Sequence, residues 1–435
     1  MPRRRASAAA ASLVLAVGGA VVFGPTAPAV AGAPASAPAS RGGLTSAQVA
    51  AAKPRPSPSP PKLPVPRASV RPELSIGGPR LASTGLVTDL PAGVPAPPAL
   101  KNVAWLLADM DTGEVVAAKA PHARLLPAST LKTLTALTLI PKVGPDRVIT
   151  ATAADANADG TRVGIVPGAT YTSRQLFEAL LMSSGNDAAY ALAGAGGGRA
   201  ATLAAMNAKA RYLGAHDTVA KDPSGLDVRG QTSSAYDLAL IGRAAMQLPE
   251  FRRYVTTKQA QFPGRTDPKT KKRATYVINN HNKLLYNYDG TIGIKNGYTV
   301  AAHRTFISAV TRGGKTYLLT EMYGLDGSWR PQAAMYDWAF RYGSRARPVG
   351  TLVAPGTVTA PPRLPPLKDN STVAPLDAPQ DQASRATAAA AALPRGIDHT
   401  SAPWVGIGTL AVIAGLLLWL GSRAASARRR RDARH

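Results

Sequence analysis

Pro127-Ala128-Ser129-Thr130-Leu131-Lys132 opens the segment on which the reading of this chain turns. Apolar residues at Leu131, Leu134, Leu137 and Ile140 follow at helical spacing and form one stripe. Residues three apart share a helix face, so Ser129 and Lys132 meet at the start of the helix. Free backbone N–H groups and the helix dipole favour developing negative charge there. A lysine that loses its proton through desolvation, or beside another cation, can act as base toward such a serine. Taken alone, the pair is a weak signal and reads first as an N-capping serine and an exposed lysine.

Outward from this helix, Ala104–Ala108 and Glu114–Ala118 are apolar runs joined by Asp111-Thr112-Gly113, the pattern of a β-hairpin. Helices are expected around Ser173–Met182, Asp187–Leu192, Ala201–Leu213 and Ser234–Gln247. Strands are expected at Thr291–Lys295, Thr305–Thr311 and Lys315–Glu321. Strands at both ends with helices between predict an α+β domain over residues 99–345, its terminal segments sharing one sheet. Two further short patterns lie in this window. Ser184-Gly185-Asn186 suits a turn between helices. Lys295-Asn296-Gly297-Tyr298-Thr299 closes a strand, and its Asn-Gly pair also suits a hairpin turn.

Ser-x-x-Lys, then Ser-x-Asn, then Lys-[Ser/Thr]-Gly is together the signature of penicillin-binding proteins and serine β-lactamases, and Lys295-Asn296-Gly297 stands in the third place here. Ala108–Val115, Pro127–Thr130, Ser184–Ala189, Pro223–Asp227 and Asn282–Leu285 resemble stretches of the low-molecular-mass D-alanyl-D-alanine carboxypeptidases in that superfamily. The resemblance spans about residues 104–340. It implies an antiparallel sheet flanked by helices with a helical subdomain, the β-lactamase/D,D-peptidase-like fold. It further implies a serine peptidase that trims peptidoglycan stem peptides through an acyl-enzyme, is inhibited by β-lactams and needs no metal or organic cofactor.

Residue by residue, the resemblance makes Ser129 the nucleophile, Lys132 its base and Ser184 the relay to the leaving amine. Asn186 would bind the substrate amide, and Lys295 would attract the terminal carboxylate. Backbone N–H groups of Ser129 and Tyr298 would form the oxyanion hole, with Gly297 and Thr299 completing the substrate edge. Asn296 stands where the family has Thr or Ser, a residue that touches the carboxylate. Ala302-His303-Arg304 also departs from the usual Ala-Gly, and Arg304 is either a second carboxylate contact or a strand-edge charge. The resemblance leaves open a D,D-endopeptidase acting on crosslinks, a β-lactamase, and a wall-binding pseudoenzyme. No Glu lies between Asn186 and Pro249, where a class A β-lactamase would need one to activate water.

The ends of the chain set its expected location. Arg3–Arg5, an apolar run from Ala8 to Phe23 and Ala29-Val30-Ala31 have the order of an export signal over residues 1–31. Pro, Ala and Ser crowd residues 32–98 and 346–402, which are therefore read as linkers. Trp404–Leu420, within residues 403–421, is an uncharged apolar run long enough to span a bilayer. The arginines of residues 422–435 would stay cytoplasmic and leave the catalytic domain outside, held by a single-pass anchor. The chain has no cysteine, which excludes disulfides and thiolate chemistry. Its net charge of +26 would ordinarily suggest nucleic acid, but an exported protein meets the wall and anionic lipid instead.

Overall fold

The computed structural model describes residues 71–358 of the 435-residue chain. The expected export signal, transmembrane run and basic tail, and most of both linkers, lie outside the described residues. Among the described residues no helix is long and apolar enough to cross a membrane.

The strands are β1 (Leu86–Thr88), β2 (Asn102–Asp109), β3 (Glu114–Lys119), β4 (Val148–Thr150), β5 (Thr170–Thr172), β6 (Gln259–Thr266), β7 (Arg273–Asn279), β8 (Thr291–Thr299), β9 (His303–Arg312), β10 (Lys315–Gly324) and β11 (Gly350–Thr351). The helices are α1 (Lys132–Val143), α2 (Ala153–Ala156), α3 (Ser173–Met182), α4 (Asn186–Ala195), α5 (Arg199–Tyr212), α6 (Ala235–Ala245), α7 (Pro249–Thr256), α8 (Leu284–Asn287) and α9 (Arg330–Trp338). A seven-stranded antiparallel sheet runs β1-β3-β2-β10-β9-β8, with β11 on the same edge of β3 as β1. The opposite edge is β8. Among the described residues the first and last strands therefore share one sheet, with helices and two small hairpins between, which is the α+β arrangement expected.

Each face of the sheet is buried. Alternation along β9 sends Ile307 and Ala309 to the side of α1, α3 and α6, among Leu131, Leu134, Phe177 and Ile241. Val310 and, partly, Phe306 pack on the other side with Trp105, Leu319, Met335 and Trp338, under α9. A sheet covered twice explains why all eight residues of β2 are buried and why its pattern is a continuous apolar run rather than an alternation. Thr172 begins α3 as a capping box with Gln175, satisfying two otherwise free N–H groups.

Composition predicts a linker up to residue 98 and the end of the fold at 345, and the structure corrects both boundaries. Residues 71–98 are folded: Leu81 is fully buried in the helix-side core and β1 extends the sheet. The imidazole of His122 joins this segment to the core, with Nδ1 2.8 Å from Asp217 Oδ2 and Nε2 3.0 Å from the carbonyl oxygen of Ile76. Past residue 345, Thr351 N donates to Gly77 O at 2.8 Å, and Tyr236 Oη donates to Thr351 O at 2.8 Å. Pro, Gly and Ala are frequent in these segments, but a few apolar side chains suffice to hold them when a sheet edge and a core are already present.

Candidate active site

Ser129 lies on a 3-10 turn, Ala128–Leu131, that leads straight into α1. The turn is tied to the sheet by Thr305, whose hydroxyl donates to Pro127 O at 2.8 Å. Two glycines permit this seating. A Cβ on Gly297 of β8 would lie 2.7 Å from Ser129 N, and one on Gly225 would lie 2.0 Å from Ala128 O. Only glycine allows backbone to approach backbone so closely. The edge strand thus runs directly against the amide of Ser129.

Lys132 is fully buried. Its Nζ is 2.9 Å from Ser129 Oγ, 2.6 Å from Asn186 Oδ1 and 2.5 Å from the carbonyl oxygen of Ser224. Burial, reinforced by the charge of Lys295, holds its pKa well below the ordinary lysine range, although Asp222 and Asp187 pull the other way. A neutral amine has two N–H donors and one lone pair. Asn186 Oδ1 and Ser224 O can only accept, so they take both donors. The lone pair is left for Ser129, whose hydroxyl can donate. In the neutral form that burial favours, Lys132 is placed to take the proton of Ser129.

Asn186 begins α4 and is itself held, since its Nδ2 donates to Asp159 O at 2.6 Å. Next to it, Asp187 accepts from the backbone N–H groups of Val163, Gly164 and Ile165, which fixes the loop that follows Asp159. Ser184 stands on the α3–α4 turn, buried, with φ +61°. That conformation is costly for a serine and is imposed by the packing around it. No hydrogen bond fixes its hydroxyl among the described residues. Lys295 is fully buried beneath β8, where burial lowers its pKa to about 7, and its Nζ donates to the Asn296 carbonyl at 2.7 Å.

Ser129, Lys132 and Asn186 are thus in direct contact, with Lys295 close enough to lower the pKa of Lys132. The remaining predicted residues divide. Gly297 adjoins Ser129, and Tyr298 is exposed on the strand edge with Arg304 5.6 Å over its ring. Thr299 is engaged in structure: its hydroxyl donates to Asp227 Oδ1 and accepts from Ala302 N, both at 2.9 Å. Asn296 pairs with Phe306 and Lys295 with Ile307, so their side chains leave β8 on opposite faces. Asn296 lines a cavity of about 280 Å³ on the α9 side, together with Arg304, Glu321 and Gln332.

Ser224 and Asp222 are the residues whose part in the site the motifs alone do not reveal. Asp222 Oδ1 accepts from Ser224 N at 2.7 Å and from its hydroxyl, setting the carbonyl that holds Lys132. The Pro223-Ser224-Gly225 stretch is visible in the sequence, but a backbone acceptor carries no side-chain signal.

The profile of the D-alanyl-D-alanine carboxypeptidase family, peptidase S11, matches residues 92–322, more than half the chain. The chain belongs to this family. It is 42% identical over 270 residues to D-alanyl-D-alanine carboxypeptidase DacB2 of Mycobacterium tuberculosis, covering 60% of this chain and 90% of that protein. A solved D-alanyl-D-alanine carboxypeptidase from the same organism superposes with a TM-score of 0.56 at 40% identity, over 60% of this chain and 99% of the other. The Streptomyces K15 DD-transpeptidase superposes with a TM-score of 0.52 at 28% identity, over 57% and 99%. As an S11 member, the protein is a serine D-alanyl-D-alanine carboxypeptidase with a penicillin-binding-protein fold.

Proposed function

We propose that this carboxypeptidase removes the terminal D-alanine from peptidoglycan stem pentapeptides and that β-lactams acylate the same serine. The observation that carries the reading is the contact set of Lys132: two pure acceptors and Ser129, in a fully buried pocket. Ser129 Oγ attacks the carbonyl of the penultimate residue as Lys132 takes its proton. The backbone N–H groups of Ser129 and Tyr298 receive the oxyanion, a contribution typically worth about 100- to 1,000-fold in rate per donor. Ser184 passes a proton to the departing amine of D-alanine, and Lys295 adds positive charge for the carboxylate end. Water then cleaves the ester and regenerates the serine.

The same proposal extends to location. Residues 1–31 act as an export signal and Trp404–Leu420 as a single anchor, leaving the catalytic domain outside and the arginine-rich tail inside. Protease added to intact spheroplasts should then destroy the catalytic domain, whereas complete protection would reverse the orientation. The catalytic reading is tested by intact-protein mass spectrometry with penicillin and by D-alanine release from a diacyl-L-Lys-D-Ala-D-Ala peptide. One adduct and turnover are expected for the native protein, and neither for Ser129→Ala. An adduct that persists in the variant removes Ser129 from the role.

A further inference from the structure

Among the described residues, surface cations are repeatedly paired: Arg80 and Arg347 with Asp89, Arg124 with Asp217, Arg174 with Asp146, Arg312 with Asp337 and Lys315 with Asp109. Other exposed cations, among them Lys101, Lys142 and Arg229, enter no ion pair, and the tip of the β6–β7 hairpin gathers four of this kind within a short stretch. Arg265, Lys269, Lys271 and Lys272 are all exposed and enter no ion pair or side-chain hydrogen bond there. The single acid of the turn, Asp267, is occupied by the turn itself, accepting from the N–H groups of Lys269 at 2.7 Å and Thr270 at 2.8 Å. Four like charges within one turn lie inside each other's screening length and repel. Asp267 offsets one of these charges, and the tip keeps a net positive charge.

The hairpin is nevertheless firmly rooted. Phe262 stacks on Tyr171 of β5 at 5.3 Å. Arg273 Nη1 donates to Thr170 O at 2.7 Å, and the Tyr276 hydroxyl donates to Val163 O. At its base Ser183 Oγ donates to Asn279 O, and His281 N to Met182 O, so the hairpin stands beside the Ser184 turn. Its four cations are therefore presented from a fixed platform whose base adjoins the Ser184 turn.

We propose that this tip is a docking surface for a linear phosphate-bearing polymer, which holds the enzyme beside its substrate. Spaced cations without partners match a chain of regularly spaced anions, and binding relieves their mutual repulsion. Between Arg265 and Lys272 there is no apolar side chain larger than that of Pro268, so the tip has nothing to insert into a bilayer. The surface is independent of the catalytic assignment, since none of the four residues contacts Ser129, Lys132 or Asn186.

The test titrates the full-length protein with inorganic polyphosphate at several salt concentrations. It is compared with Lys269→Ala/Lys271→Ala/Lys272→Ala and with an equal charge loss elsewhere, Lys101→Ala/Lys142→Ala/Arg229→Ala. The hairpin variant should bind at least tenfold more weakly at low salt. Its log-affinity against log-salt slope should be shallower by about 2, each neutralised phosphate of a single-stranded polyanion contributing about 0.7. The control variant should change far less, and both should keep the native rate of penicillin acylation, which shows that they are folded. Equal weakening in both variants, or none in either, overturns the proposal. So does a hairpin variant that loses binding to phosphatidylglycerol vesicles while holding polyphosphate as tightly as the native protein.

Discussion

Lys132 is useful to Ser129 only while it is neutral, and its surroundings decide that. Loss of its proton should set the pH dependence: penicillin acylation rises with pH and levels off well below the pH at which an exposed lysine titrates. Lys132→Arg keeps a permanent cation at the same place. It should lower acylation by about 100- to 10,000-fold, the usual contribution of a general base. Stopped-flow acylation that stays near the native rate in this variant would exclude Lys132 as the base. Gly297→Ala tests the seating of the strand. Its methyl group would press on Ser129 N and Thr305 Oγ1, so β8 must shift. Acylation should fall at least tenfold, and thermal unfolding should drop by an amount typical of overpacking, about 1–3 kcal/mol. The residues of this cluster were legible because Ser-x-x-Lys fixes its own geometry on one turn. The direction of Asn296 was not legible, because the expected strand ends at Lys295 and β8 continues through Thr299.

At the scale of elements, the helices α3 to α6 and the strands β2, β3 and β8 to β10 follow the periodicities read from the sequence to within a few residues. Others escaped. The β6–β7 hairpin was not legible as strands, because most of its residues are exposed and it has no continuous apolar run. Helix α9 carries only nine residues, too few for its period to stand out. That helix places Gln332 over β10, where its Nε2 donates to both carboxylate oxygens of Glu321 at 3.0 and 2.9 Å. Burial lifts Glu321 from an ordinary 4.5 to about 7. The unfolded chain therefore gives up this proton first, and native stability falls as pH rises between those values. Glu321→Gln removes the titration. Its melting temperature relative to the native protein should climb from pH 5 to pH 8. A difference that stays constant across that range would show that Glu321 does not titrate in the window.

For the molecule as a whole, the limits of the fold matter more than any single element. A chain beginning at residue 99 lacks β1 and Leu81. It also strips His122 of its acceptor on Ile76. Removing one buried leucine side chain typically costs about 2–5 kcal/mol. Such a truncation should unfold at a markedly lower temperature than one beginning at residue 71, and comparison of the two by calorimetry checks it. These boundaries were hidden from composition because the Pro-, Ala- and Ser-rich character of residues 32–98 and 346–402 runs across them. The closing of Thr351 on Gly77 has another consequence. The two ends of the catalytic domain meet on one sheet edge, so the fold is nearly a ring that happens to be cut there. Joining residue 358 to residue 71 by a short glycine-rich bridge and opening new termini at Pro268 should give a circular permutant. Penicillin should label its Ser129 as it labels the native protein, and a permutant that does not label would mean that chain order, and not only contact, assembles the site.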